Sequence, residues 1–169
     1  MKKRQWSLVL NIVFYSLVIF LLMQRVPTWI RSYNQQGTKP PEALVLVSLD
    51  GKEVAIPTQS KKALVYWATW CGPCDVELAR LKRLVANGKI AASDVIAISI
   101  DRDPEALRRT VIEKQYPFIV VHDFDGSAAR LFAVEVTPTI ILLNADGTVE
   151  WSTSGISPTL EWRLLSFLR

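Results

Sequence analysis

Both cysteines of this chain fall in one segment, Trp70-Cys71-Gly72-Pro73-Cys74. It is set between an apolar run of strand length, Ala63 to Ala68, and a stretch of helical periodicity from Pro73 to about Lys89, with Gly88 near its end. That junction constrains the fold more than any other feature, because a buried strand must hand over to a helix with both thiols at the turn. Two cysteines make at most one intramolecular disulfide, so a scaffold stapled by several bridges is excluded. The chain must therefore build an apolar core. With 50% hydrophobic and 21% charged residues over 169 positions, it has the composition for one globular unit plus an appendage.

The junction also carries the chemistry. A thiol at a helix N-terminus faces unpaired backbone N–H groups and the positive end of the helix dipole, both of which favour the thiolate. Cys71 is the expected nucleophile, exposed at the turn. Cys74, one turn deeper, is expected to attack the mixed disulfide and release the reduced substrate. Pro73 opens the helix without wasting a donor, and Gly72 leaves space above the sulfur. A C-x-x-C pair also serves metals, but a tetrahedral site needs two more ligands, and His122 is the sole histidine. Redox chemistry without a metal or cofactor is the expectation.

The remaining pattern extends the strand–helix alternation. Leu44 to Leu49, the turn Asp50-Gly51, and Glu53 to Ile56 predict a β-hairpin. Val95 to Ile100 predicts a buried strand, and Asp103-Pro104 an N-cap and first-turn proline for a helix to about Lys114. Phe118 to Val121 follows as a strand and Ser127 to Phe132 as a short helix. Thr139 to Leu143, Asp146-Gly147 and Val149 to Trp151 predict a second hairpin. Ser157-Pro158 opens a closing helix with Leu160, Leu164, Phe167 and Leu168 on one face. The sum is an α/β domain over residues 44–169 with a mixed central sheet. Residues 25–43, with Pro27, Gly37, Pro40 and Pro41 and no apolar periodicity, read as a linker.

The net charge of +4 divides unevenly. Lys2, Lys3, Arg4, Arg25 and Arg31 stand in residues 1–33 without an acid, while the rest of the chain carries 15 basic and 16 acidic side chains. No footprint for nucleic acid remains. Gln5 to Gln24 are 20 uncharged residues, which as a helix would span about 30 Å, the thickness of a hydrocarbon core. Three basic residues precede them, so the positive-inside rule puts the N-terminus in the cytoplasm and the domain outside. A small-x-small cleavage site is absent from the end of this stretch, L-L-M-Q-R-V-P, which favours an uncleaved anchor in residues 1–24 over a cleaved signal or an ordinary core helix.

The motif and its flanks, Y-W-A-T-W-C-G-P-C-D-V-E-L, together with Val136-Thr137-Pro138-Thr139, resemble the thioredoxin superfamily. The similarity runs from about Leu44 to Arg169 and looks closest to the membrane-anchored TlpA/ResA/DsbE branch, including the suppressor-of-copper-sensitivity D type. The initial hairpin and the stretch S-I-D-R-D-P-E-A-L also look like this branch. The resemblance implies a thioredoxin fold, exchange of protein disulfides on the outer side of the bacterial inner membrane, and a membrane thiol donor of the DsbD/CcdA kind. It further implies a cis Pro138 facing the C-x-x-C motif, with Thr137 turned outward to pair with an extended substrate strand; taken alone, Thr137-Pro138 would more often be trans. Two departures stand out: Val65 occupies the position of thioredoxin's buried aspartate, and V-T-P-T replaces the G-x-P-E-T-like segment of the cytochrome-maturation member.

Glu77 is singled out by its place on the helix. At about 100° per residue it falls within the apolar stripe of Cys74, Leu81, Leu84 and Val85. A carboxylate there needs a task or a partner. One turn from Cys74, it is expected to accept that thiol's proton during exchange, and it matches the glutamate of a TlpA-like C-x-x-C-x-x-E pattern. A glutamate snorkelling at the stripe's edge is the plainer alternative. Trp70, Gly72, Pro73, Thr137 and Pro138 are the expected substrate-contact residues. Trp67 reads as core, His122 as structural and Arg108-Arg109 as a solvated face. The expected activity is a membrane-tethered, extracytoplasmic protein-disulfide reductase. The alternative is a thioredoxin-fold copper-delivery protein, although such proteins resemble C-x-x-x-C rather than the spacing found here.

Overall fold

A computed structural model of the chain describes residues 10–23, 36–40, 43–56 and 59–169. Residues 10–23 are helical (α1) and largely exposed. The expected anchor also takes in residues outside the described ones. Among the described residues, no helix is long and apolar enough to cross a membrane.

The domain is built from β1 (Leu44–Val47), β2 (Glu53–Ile56), β3 (Lys62–Trp67), α2 (Gly72–Ala86), β4 (Val95–Ser99), α3 (Pro104–Lys114), β5 (Ile119–His122), α4 (Ser127–Leu131), β6 (Thr139–Leu143), β7 (Val149–Ser154) and α5 (Leu160–Leu168). Five strands form one sheet in the order β5-β4-β3-β6-β7, and β1-β2 form a separate hairpin. Strands β3, β4 and β5 are mutually parallel, while β6 runs antiparallel to β3 and to β7. This is the mixed sheet expected from the sequence, and the elements fall within a few residues of their predicted bounds.

Alternate side chains along the strands of the five-stranded sheet serve two cores. Ala63, Val65 and Trp67 of β3 join Cys74, Leu78, Leu81 and Leu84 of α2, Leu107 of α3, and Leu160, Leu164 and Phe167 of α5. Leu64 and Tyr66 join the opposite core with Leu46, Val54 and Ile56 of the hairpin and Ala128 beside Phe132 at α4. Covering both faces explains why the central strands read as unbroken apolar runs. The hairpin turns at Gly51, whose φ of +84° suits glycine, and docks on the edge through the Ser48–Val121 bridge and Leu49 N–H to Val120 O (3.0 Å).

Helix α3 is capped as expected, the Asp103 carboxylate accepting from Glu105 N (2.9 Å) and Ala106 N (3.2 Å). The linker reading needs one adjustment. Gly37 N–H donates to Val149 O (2.8 Å) and Val149 N–H to Thr38 O (2.9 Å). Backbone pairing with the edge strand β7 therefore begins ahead of Leu44.

Candidate active site

The C-terminal end of β3 delivers the chain into the turn Ala68–Cys71, where Cys71 N–H donates to Ala68 O (3.1 Å), and α2 begins at once at Gly72. Cys71 is the N-cap residue and Pro73 lies in the first turn. A sulfur at Cys71 thus stands at the N-terminal end of a long helix, where first-turn N–H groups have no intrahelical acceptor. Cys71 and Cys74 form a disulfide with an S–S distance of 2.08 Å and Cα atoms 5.3 Å apart. In this oxidised form Cys71 is 6% exposed and Cys74 1%. Cys71 is thus the more accessible sulfur, but less open than the sequence suggested, because both sulfurs belong to the core beneath α2. Trp70 is 72% exposed, and Gly72 and Pro73 are exposed beside it.

The second wall comes from β6. Thr139 pairs with Tyr66 across the β3–β6 ladder, so the residues before it lie beside the end of β3 and the motif turn. Thr137-Pro138 is a cis peptide, with Pro138 buried and Thr137 half-buried. Pro138 O accepts from Gly155 N (2.7 Å), which joins this loop to the end of β7. The described structure thus brings Trp70, Cys71, Gly72, Pro73, Cys74, Thr137 and Pro138 to one end of the sheet.

Glu77 lies on the buried face of α2, fully shielded from solvent. Its carboxylate has partners that sequence reasoning did not identify. Arg80 Nη1 donates to both oxygens (3.2 and 3.0 Å), and Ser157 N–H donates to Oε1 (2.7 Å). The same Arg80 Nη1 reaches Ser157 O (2.8 Å). Glu77 therefore braces α2 against the β7–α5 connection, the segment that also bonds Pro138. It is neither snorkelling nor unpartnered, and it remains one turn from Cys74.

A second buried carboxylate was missed. Asp101, 2% exposed, follows β4 and accepts from Thr69 N (2.9 and 3.1 Å), Thr69 Oγ1 (2.7 Å) and Ser99 Oγ (2.7 Å). It clamps the residue next to Trp70. The available signal was an acid at the end of a buried, largely apolar strand, where a charge must find donors. His122 closes the same corner, its Nε2 donating to Asp101 O at 2.6 Å, which agrees with the structural reading of this histidine. Val65 is fully buried against α2, so the buried acids near the motif are Glu77 and Asp101. Trp67 is fully buried, its ring edge-on to Tyr116 at 5.5 Å. Arg108 and Arg109 are exposed. Among the described residues, no group of three or more His, Cys, Asp or Glu side chains is placed to hold a metal.

Comparison with known proteins points the same way. The family model described as Redoxin matches residues 35–162. The chain is 24% identical over 148 residues to the thiol-disulfide oxidoreductase ResA of Oceanobacillus iheyensis, covering 85% of this chain and 77% of that protein. It is 30% identical over 138 residues to a thioredoxin-like protein of Haemophilus influenzae, covering 78% and 80%. Among solved structures, StoA from Bacillus subtilis superposes with a TM-score of 0.68 at 19% identity, over 78% of this chain and 100% of that one, a likeness of fold.

Proposed function

Because the chain belongs to the Redoxin family, within its TlpA/ResA/DsbE-like thioredoxin-fold branch, we propose that it is a membrane-tethered enzyme that reduces protein disulfides outside the cytoplasm. The thiol–disulfide oxidoreductase activity follows from its relatives. The observation that carries it to particular atoms is the Cys71–Cys74 disulfide at the N-terminal end of α2, beside the cis Thr137-Pro138 loop.

In the working direction the dithiol form starts the cycle. The Cys71 thiolate attacks one sulfur of the substrate disulfide, that S–S bond breaks, and a mixed disulfide forms while the other substrate sulfur leaves as a thiolate. Cys74 then loses its proton and attacks the Cys71 sulfur, releasing the second substrate thiol and closing the Cys71–Cys74 bond. Two electrons pass from the chain to the substrate. In this reading Glu77, one helical turn from Cys74, would receive that thiol's proton in the second step, its carboxylate held by Arg80 and Ser157 N–H. An extended substrate strand would pair with the backbone of Thr137 and lie over Trp70, Gly72 and Pro73.

The tether and direction rest on sequence. The 20 uncharged residues Gln5 to Gln24 behind Lys2, Lys3 and Arg4 support a single-pass anchor in the bacterial inner membrane with the domain outside. The Gly72-Pro73 pair offers no cationic or hydrogen-bonding side chain to over-stabilise the thiolate, which supports a reducing role. Such an enzyme needs recharging in an oxidising compartment, and a membrane thiol donor of the DsbD/CcdA kind fits that need. The test is a Cys74→Ser variant, which keeps the nucleophile and removes the resolving thiol. Mixed disulfides with extracytoplasmic proteins and with a membrane thiol protein should accumulate at Cys71. No trapped partner, in a variant that still folds, would overturn the reading.

A further inference from the structure

The parallel strands β3, β4 and β5 bring their C-terminal ends to the same edge of the domain. Trp70 follows β3, and Phe124 follows β5 with its ring 69% exposed. The Thr137-Pro138 loop lies on the other flank of the motif, at the start of β6. In strand order the turn carrying Trp70 therefore lies between the cis-proline loop and the loop carrying Phe124.

Phe124 is exposed but not loose. Its ring meets His122 edge-on with centroids 5.6 Å apart. The His122 ring is itself fixed by Nε2 to Asp101 O, and a carbonyl can only accept, so Nε2 carries the proton. Asp101 in turn holds Thr69, the neighbour of Trp70. On the other side, Asp123 is buried, its N–H donates to Ser99 O (2.8 Å), and its carboxylate accepts from Ala128 N (3.0 Å) and Ala129 N (2.8 Å). The two exposed rings thus stand on one hydrogen-bonded frame. An aromatic ring held in place by buried neighbours offers apolar contact at a small entropic cost, a property of binding surfaces.

We propose that Phe124, held by His122, extends the substrate surface past Trp70 and receives an apolar side chain of the protein substrate. This rests on the oxidoreductase reading given above. Two interstrand steps of about 4.8 Å separate the ends of β3 and β5, and an extended chain advances about 3.3 Å per residue. The contacted side chain therefore lies about three residues from the attacked cysteine.

The test uses the purified full-length chain in its dithiol form and a set of extended peptides. Each peptide carries one cysteine as a mixed disulfide with glutathione and either leucine or glycine three residues before or after it. The single-turnover rate constant for releasing the peptide thiol should be about fivefold higher for leucine on one of the two sides, the size expected from partly burying one apolar side chain. Phe124→Ser should abolish that preference and leave reduction of glutathione disulfide within about twofold of the parent, since a small disulfide does not reach the second ring. Retention of the full leucine preference in Phe124→Ser, or an equal slowing with glutathione disulfide, would overturn the proposal. So would a parent chain that reduces glutathione disulfide yet ignores the leucine, an outcome that leaves the oxidoreductase reading intact. A chain that reduces no disulfide would end both.

Discussion

At the residue scale, the two sulfurs are expected to have different duties because the helix places them differently. Cys71 is the N-cap residue of α2 and keeps a little exposure, while Cys74, one turn on, is enclosed. Cys71→Ser is expected to abolish exchange outright, whereas Cys74→Ser should still attack and then stall as a mixed disulfide, seen as a mass increase by electrophoresis without reductant. Glu77 has a structural part, and a chemical one is proposed for it. Glu77→Gln leaves Arg80 without its anion and is expected to cost about 1–3 kcal/mol of stability, measured by denaturant titration. If the carboxylate also takes the Cys74 proton, the same variant must change the pH dependence of resolution. An unchanged pH–rate profile would reduce Glu77 to a brace. The helical position of Glu77 was legible because a carboxylate in an apolar stripe violates the pattern. Its partners were not: Ser157 lies 80 positions away, and only tertiary packing brings its N–H to Oε1.

At the element scale, the alternation of strands and helices was readable because both sheet faces are covered and the strand ends carry turn residues. The hairpins turned at Asp50-Gly51 and Asp146-Gly147 as expected, and α2 ends where Gly88, at φ +65°, supplies a left-handed residue. The edge pairing of Gly37 and Thr38 with β7 was not readable, since two backbone hydrogen bonds leave no side-chain pattern. Nor was the Asp101 clamp on Thr69, because the two residues lie 32 positions apart. This clamp sets how β3 hands the chain to α2. Asp101→Ala leaves Thr69 N–H and two hydroxyls short of an acceptor in a buried corner. It should cost about 1–3 kcal/mol in denaturant titration and slow exchange by loosening the turn that presents Cys71. Wild-type stability in this variant would show that water or a neighbour replaces the carboxylate, and that the clamp does not hold the turn.

At the scale of the whole molecule, each of the two cores holds a tyrosine that sets an alkaline limit. Burial pushes the Tyr116 phenol up to about 12, with Asp75 and Glu113 adding to the effect. Burial also raises Tyr66 well above its ordinary value, where its hydroxyl lies 3.1 Å from Ala128 O as donor. Both phenols hold their protons more tightly in the folded chain than in the unfolded one. Their contribution is therefore complete below about pH 10 and declines as pH rises toward about 12. Tyr116→Phe should flatten that decline in a series of denaturant midpoints, and an unaltered decline would assign it to other groups. The proposed arrangement in the membrane is tested by alkaline phosphatase fused after Arg169, which should be active if the domain is outside and inactive if the orientation is reversed.

On the proposed function the Cys71–Cys74 dithiol donates electrons to its substrates. The measurement that tests it most directly is a redox titration of the full-length chain against glutathione and dithiothreitol, read by the Cys71–Cys74 disulfide fraction. The N-terminus of α2 favours a thiolate at Cys71, and Gly72 and Pro73 carry no cationic or hydrogen-bonding side chain to add to it, so the disulfide form should stay comparatively stable. A potential clearly below the ~−180 mV of protein disulfide isomerase is the predicted result, and one near the ~−120 mV of the strong oxidant DsbA would contradict it.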